Sequence, residues 1–319
     1  MPRARTTLVA TQLAGQATNW GRWGPRDEVG ALNFLAPHEV LRGVAAVRTG
    51  RTFTLGIPIA TPEGDPVWPG RTPARRFSVQ DKSTYRAGHA HTEAGDEFAD
   101  DVVFLYTHGT THTDALGHVW YDDTLYNGYP ADTTVGRLDR ASVLPLAERG
   151  IVGRAVLLDI ARYRDKPRLG RAEAFGLEDL LGAAASQKVA VEPHDILILR
   201  TGWLAAFYDE RADFETEPFA EPGLLYSAEL VSWFHDLEIP ALCTDTLGNE
   251  LTVQPQDGEN SVLHAALMRN LGVVFTEMLW LEALATDCAS DGQYAFLYAA
   301  APLKVFGASG APTNPLAIK

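Results

Sequence analysis

Cysteine is nearly missing from this chain, with two residues, Cys243 and Cys288, in 319. Two thiols cannot build a disulfide framework or a four-cysteine zinc site. They suit a reduced cytoplasm as small buried hydrophobes, with Cys243 also weighed as a nucleophile. Basic residues are short as well, 27 Lys and Arg against 41 Asp and Glu, for a net charge of −14. That balance speaks against nucleic acid and against an anionic membrane as partner. No apolar run approaches membrane-spanning length, and MPRARTTLVATQLAG lacks the apolar stretch of a secretory leader. The G-x-S-x-G elbow, the Walker phosphate loop and a convincing dinucleotide fingerprint are missing. So are internal repeats and low-complexity tracts. What remains is a chain of ordinary hydrophobic content, 46%, long enough to bury a sizeable core. The expectation is one cytoplasmic domain over 1–319 that acts on a small molecule.

What the chain does have is concentrated in residues 102–123, VVFLYTHGTTHTDALGHVWYDD. His108, His112, Asp114 and His118 fall at offsets 0, 4, 6 and 10 behind an apolar run. The offsets are even, so an extended strand would put all four on one face. Ten extended steps span roughly 33 Å, so convergence requires a bend. Gly109, Gly117 and the Thr110-Thr111 pair are where the chain can turn. Imidazole nitrogen and carboxylate oxygen suit a borderline divalent ion, and three such ligands leave positions open for water, the catalytic pattern. The spacing matches no helical zinc motif such as H-E-x-x-H, and a histidine-rich surface loop is the plain alternative.

These residues carry a resemblance. H-G-T-T-H-T-D-A-L-G-H resembles the H-x-G-T-H-x-D-x-x-x-H signature of the cyclase-like metal-dependent hydrolases, the family of bacterial kynurenine formamidase and isatin hydrolase. Thr110-Thr111 occupy the stretch usually written x-G-T, and Leu116 stands where many members carry proline. Both His-to-His spacings and the His-x-Asp step are intact. NWGRWG…DEVGALN resembles the N-terminal region of a longer-chain branch, and VLLDIA and ILILRTGW resemble the family's two core strands. SVLHAALMRNLGVVFTEMLWLEAL resembles its helix-then-strand element, which carries one His and one Glu. Together these matches span about residues 20–290.

The resemblance implies a mixed α/β, swivelling β/β/α-like fold with a mixed central sheet and flanking helices, and a homodimer. It implies that His264 and Glu277 join His108, His112 and Asp114 in a centre for one or two zinc or manganese ions. His/Asp/Glu ligands alone leave iron open too. The reaction implied is cleavage of a formamide, a cyclic amide or imide, or a lactone. Alternatives are a lactonase or cyclase acting on another carbonyl compound, or a non-catalytic metal-stabilised binding protein. His118 is the candidate general base and acid, because its free pKa lies near the working pH; a fourth metal ligand is the other reading. Trp120, Trp23 and Phe104 are candidate substrate contacts, with Trp20 and Trp68 as further aromatics.

Around the motif, residues 1–36 read as an N-terminal arm and 61–101 as a long loop or lid. His89 and His91 lie in that loop as rival, dispensable ligands. Pro37 opens an expected helix with Val40, Leu41, Val44, Ala45 and Val47 on its apolar face. RTFTLGIPIA, VLLDIA, DILILRTGW and PALCTDT read as strands. LEDLLGAAASQKV, SAELVSWFHDLEI and the segment of His264 read as helices. Residues 205–223 read as an acidic loop. His194 and His235 are expected to be structural or solvent-facing. Asp245 and Glu250 are expected in a solvated loop, with support of a metal ligand as the alternative. The tail GASGAPTNPLAIK reads as a loose end.

Overall fold

The apolar runs that read as buried strands lie at the middle of a nine-stranded mixed sheet. The computed structural model describes residues 8–209, 220–254, 258–259 and 262–319. In chain order the strands of this sheet are β1 (Thr52–Thr54), β2 (His112–Asp114), β3 (Ile151–Asp159), β4 (Ile196–Arg200), β5 (Ala241–Thr244), β6 (Val274–Glu277), β7 (Ala295–Ala300), β8 (Gly310–Pro312) and β9 (Leu316–Ile318). They lie side by side in the order β1-β9-β7-β3-β4-β5-β6-β2-β8. Strands β3 to β6 run parallel, and the remaining pairs are antiparallel. Parallel strands covered on both faces need continuous apolar sequence, and ILILR and ALCT are buried throughout. The fold is therefore the mixed α/β domain that the resemblance implies.

Helices flank this sheet. Leu177–Gln187 packs near β3, and Ala228–Asp236, capped by the Ser227 hydroxyl accepting from the Leu230 N–H, packs near residues 264–270. Pro37–Ala45 forms as expected, but its expected apolar face does not hold. Leu41 and Val44 are exposed, whereas Glu39 and Gly43 are buried. Gly43 sets this rotation, because a Cβ there would stand 2.7 Å from the Gly153 backbone carbon. The bare glycine lets the helix lie close on β3, and Glu39 turns inward toward Arg42 and His194.

Three other expectations need correction. The long loop over 61–101 contains a strand, Arg75–Gln80, and a short helix, Lys82–Arg86, capped by Asp81. That strand pairs with Asp100–Phe104 as an isolated ribbon. The apolar run before the motif therefore forms no core strand, and Val102, Val103 and Phe104 are exposed with Phe77 and Val79. Alternation reports a strand but not what covers it. The tail is no loose end either, since it supplies β8 and β9. Lys319 is fully buried, with Nζ 2.8 Å from both Asp287 and Asp291. Strands of three residues interrupted by Pro and Asn are too short to show a period. Of the acidic loop over 205–223, residues 205–209 instead belong to a helix, Trp203–Asp209, and residues 210–219 lie outside the described residues. Among the described residues no helix is long and apolar enough to cross a membrane.

Candidate metal centre

Strand β2 is wedged between β6 and β8, with Glu277 opposite His112 and Gly310 opposite Asp114. Residues two apart on a strand, and cross-strand partners, project to the same face. His112, Asp114 and Glu277 thus meet by register alone. Nε2 of His112 lies 3.2 Å from Asp114 Oδ1 and 3.3 Å from Glu277 Oε2. Glu277 is the last residue of the last parallel strand, and open α/β sheets place their sites beyond such strand ends.

His108 and His118 arrive from turns on either side of β2. Gly109 N–H donates to Tyr106 O at 2.9 Å, and His118 N–H to Ala115 O at 2.9 Å. The two rings stack with centroids 4.2 Å apart, and His108 Nε2 lies 3.2 Å from Asp114 Oδ1. Gly117 serves a close approach, since a Cβ there would meet Leu138 Cδ2 at 2.4 Å. His264 comes from a π-helical stretch, His264–Asn270, a winding often found at functional positions. Its Nε2 stands 3.5 Å from Glu277 Oε1 and 3.9 Å from Asp114 Oδ2. All six residues singled out as ligands or base in the sequence are brought together, five of them buried and His118 half-buried.

The donor set fits a divalent ion. Nε2 of His108, Nε2 of His112 and both oxygens of Asp114 are buried without a well-formed hydrogen bond. Buried polar atoms are rarely left so. The other ring nitrogens are held: His112 Nδ1 donates to Thr110 O at 2.8 Å, and His108 Nδ1 sits 3.1 Å from the Thr107 hydroxyl. Glu250 takes the Nδ1–H of His264, and its carboxylate also accepts from the backbone N–H groups of Leu263 and His264 at 2.8 and 2.9 Å. A carboxylate behind an imidazole fixes the tautomer that presents Nε2 to an ion. Two overlapping ligand groups share Asp114: His108, Asp114 and His118, and His112, Asp114 and Glu277.

The electrostatics agree. Burial resists charge on His112, but the Asp114 and Glu277 carboxylates beside it prevail and raise its pKa to about 10. Burial is overcome likewise at His264, which Glu250 and Glu277 hold well above its ordinary value. Asp114 is kept well below the usual carboxylate range, against burial, by the imidazoles around it. His118 goes the other way: burial, reinforced by neighbouring imidazoles against the pull of Asp114, pushes it down to about 3. The protons favoured on His112 and His264 stand where an ion would put its charge, and ion binding releases them.

A cavity of about 110 Å³ opens on this cluster, lined by Trp68, Arg71, Val119, Leu247, Gly248 and Thr252 besides His108, His118, His264 and Glu277. His118 also borders a larger cleft of about 640 Å³ that includes Trp120. Trp23 and Phe104 line neither. The Trp23 ring packs edge-on against Phe34 at 4.9 Å, and Phe104 stands exposed on the ribbon.

Comparison with known proteins identifies the lineage. The profile of the family described as putative cyclase matches residues 53–250. The chain belongs to the putative cyclase family. A solved structure described as a novel cyclase shares 35% identity with this cyclase-family chain at a TM-score of 0.86, covering 95% of it and all of that chain. Isatin hydrolase A from Ralstonia solanacearum shares 18% identity over 84% of this chain and 91% of that one, at a TM-score of 0.58. Isatin hydrolase A from Labrenzia aggregata, bound to benzyl benzoate, shares 20% identity over 88% of this chain and 97% of that one, at 0.55. At those identities the isatin hydrolases show a common fold. No curated protein sequence matches the chain.

Other residues weighed in the cyclase-family sequence stand apart from the cluster or behind it. His89 and His91 are exposed and belong to none of the ligand groups among the described residues. Glu250 and Asp245 are buried rather than solvated. Asp245 binds the Thr201 hydroxyl and the N–H groups of Thr201 and Gly202 at 2.7–2.8 Å and does not face the cluster. Trp203 is buried beside Leu247, so it packs the wall. Burial pushes the Cys243 thiol up to about 12, which removes it as a nucleophile. Gly310 went unnoticed in the sequence: a Cβ there would stand 2.5 Å from His108 Nε2. Nothing local in GASGAP signals that role.

Proposed function

We propose that this protein is a metal-dependent hydrolase that opens an amide, imide or lactone bond of a small cyclic or aromatic compound. The observation that carries the proposal is the convergence of four buried, unpartnered ligand atoms beneath a cavity, beside a half-buried histidine. A purely structural ion would have all its positions filled by protein groups. Residue chemistry supports zinc or manganese, and the five clustered donors His108, His112, Asp114, His264 and Glu277 support either one ion or two. When bound, a divalent ion would supply an acidic water and a Lewis acid for the carbonyl.

The chain's own residues do the rest. Asp114 and Glu277 set the negative charge of the centre, and Glu250 and Thr110 orient the imidazoles of His264 and His112. His118, between the inner cavity and the outer cleft, is kept neutral by burial, so its free nitrogen can take a proton from the attacking water, and the acidic imidazolium so formed returns it to the leaving nitrogen or oxygen. Trp68 and Leu247 offer an apolar wall that excludes bulk water. The exposed apolar ribbon over 75–104 supports self-association as a homodimer, and the two buried thiols are consistent with a cytoplasmic setting.

The test is acid production from formylkynurenine, isatin, simple lactones and cyclic imides. Protein is assayed as purified, after chelation, and after refilling with zinc or manganese. The expected result is turnover of one compound class that chelation abolishes and one of the metals restores. Metal-loaded protein that turns over none of these classes overturns the reading.

A further inference from the structure

The cavity holds a cation that the chemistry above does not use. Arg71 follows Trp68 in a turn closed by its own N–H donating to Trp68 O at 2.9 Å, and both side chains are half-buried at the cavity. Its guanidinium donates once, from Nη1 to the backbone oxygen of His108 at 3.1 Å. Among the described residues no carboxylate lies within ion-pairing distance of it.

That is unusual in a chain with 41 acidic against 27 basic residues. Other partly buried arginines are committed. Arg42, Arg154, Arg164 and Arg200 each pair with carboxylates. Arg269 is clasped between the Trp20 and Tyr121 rings at 4.5 and 3.8 Å. Among the described residues of the cavity lining, Arg71 alone carries a permanent positive charge. Its bond to the His108 carbonyl holds it beside the ligand cluster while leaving most of its donor fork unused. A planar fork of this kind matches a carboxylate bidentately.

We propose that Arg71 receives a carboxylate of the substrate, so that this hydrolase acts on an anionic cyclic or aromatic carbonyl compound. The inference rests on the hydrolase reading for the reaction, but not for binding. The cavity volume of about 110 Å³ is below the ~150 Å³ that holds benzene. Only the reacting end of such a compound enters fully, and its remainder lies toward Trp68 and Arg71. Isatin carries no carboxylate, so this preference would set the chain apart from an enzyme for that compound.

The experiment uses two probes that differ only in the group at issue, phthalimide and phthalimide-5-carboxylate. Zinc-loaded wild-type protein, Arg71→Ala and Arg71→Lys are titrated calorimetrically with each, and bound zinc per chain is measured alongside. Wild type is expected to bind the carboxylated imide at least about tenfold more tightly. Arg71→Ala brings the ratio near one, and Arg71→Lys, with charge but no fork, keeps an intermediate ratio. A wild-type ratio of one overturns the proposal, as does no binding of the carboxylated imide at millimolar concentration. So does an equal loss for both probes in Arg71→Ala, which would make Arg71 a prop for His108 or a donor to the reacting carbonyl. Absent turnover of both imides with the binding ratio intact would count against the hydrolase reading and not against this one.

Discussion

Among the described residues two clusters set histidine between carboxylates, and they are built for different ends. At the sheet edge, His108, His112 and His264 surround Asp114 and Glu277 in the interior, with ligand atoms left unpartnered. Below the N-terminal end of β4, His194 sits between Glu39 and Glu238, its Nδ1 2.8 Å from one and its Nε2 2.6 Å from the other. That ring has donors at both nitrogens and is stacked on Phe34 at 5.3 Å. It is an imidazolium clasp that ties the 37–45 helix to the turn after the 228–236 helix. His38, Glu39 and His194 stand close enough to hold an ion, but both His194 nitrogens are already engaged. Residue type and proximity do not separate a metal centre from an ion-pair clasp; unsatisfied buried atoms do.

The sharpest break in that comparison is Asp114→Asn. It removes the charge shared by both ligand groups, so metal affinity should fall by more than about 100-fold and turnover with it, as read by chelator competition and assay. An unchanged metal content would sink the assignment. Next comes Glu250→Gln, which leaves the ligands and weakens only the anchor of His264, with an expected loss of about 10–100-fold in affinity. If metal binding is untouched, Glu250 is only a cap for the 264–270 segment.

Gly310→Ala is smaller. Its Cβ forces His108 or β8 to shift, costing about 1–3 kcal/mol, and should lower metal affinity more than the melting temperature of the chelated protein. Equal losses in both would make Gly310 a matter of packing alone. The smallest effect belongs to the clasp. Burial opposes charge on His194, but Glu39 and Glu238 raise its pKa above the ordinary 6.5. A raised pKa adds stability that is fully present below about 6.5 and is lost as pH climbs through the higher folded value. His194→Gln should therefore lower the unfolding free energy most near pH 5–6, by about 1 kcal/mol or less, as read from melting curves, with metal content unchanged. A deficit that grows toward alkaline pH would contradict this account.

The site was more legible than the surroundings that hold it. His108, His112, Asp114 and His118 announce themselves by crowding, and the family pattern adds His264 and Glu277 from far along the chain. Trp23 and Phe104 misled because aromatic residues are equally at home in an arm contact and on an exposed ribbon. Glu250 and Asp245 look alike in sequence, both in a polar turn after β5. One backs His264 and the other anchors Thr201, and only packing distinguishes them. Arg71 and Gly310 carry no local signal at all.

By itself the sequence determined the ligand types and the buried core strands, because composition, apolar runs and short-range spacing are properties of neighbours along the chain. Tertiary structure decided which histidine cluster keeps unpartnered atoms, which carboxylate stands behind which ring, and that the last ten residues close the sheet beside the centre. The first and last of those outcomes depend on contacts between segments 100 or more residues apart, such as Glu277 against His112 and Lys319 against the 49–51 turn. Register and burial, rather than residue type, settle such pairings.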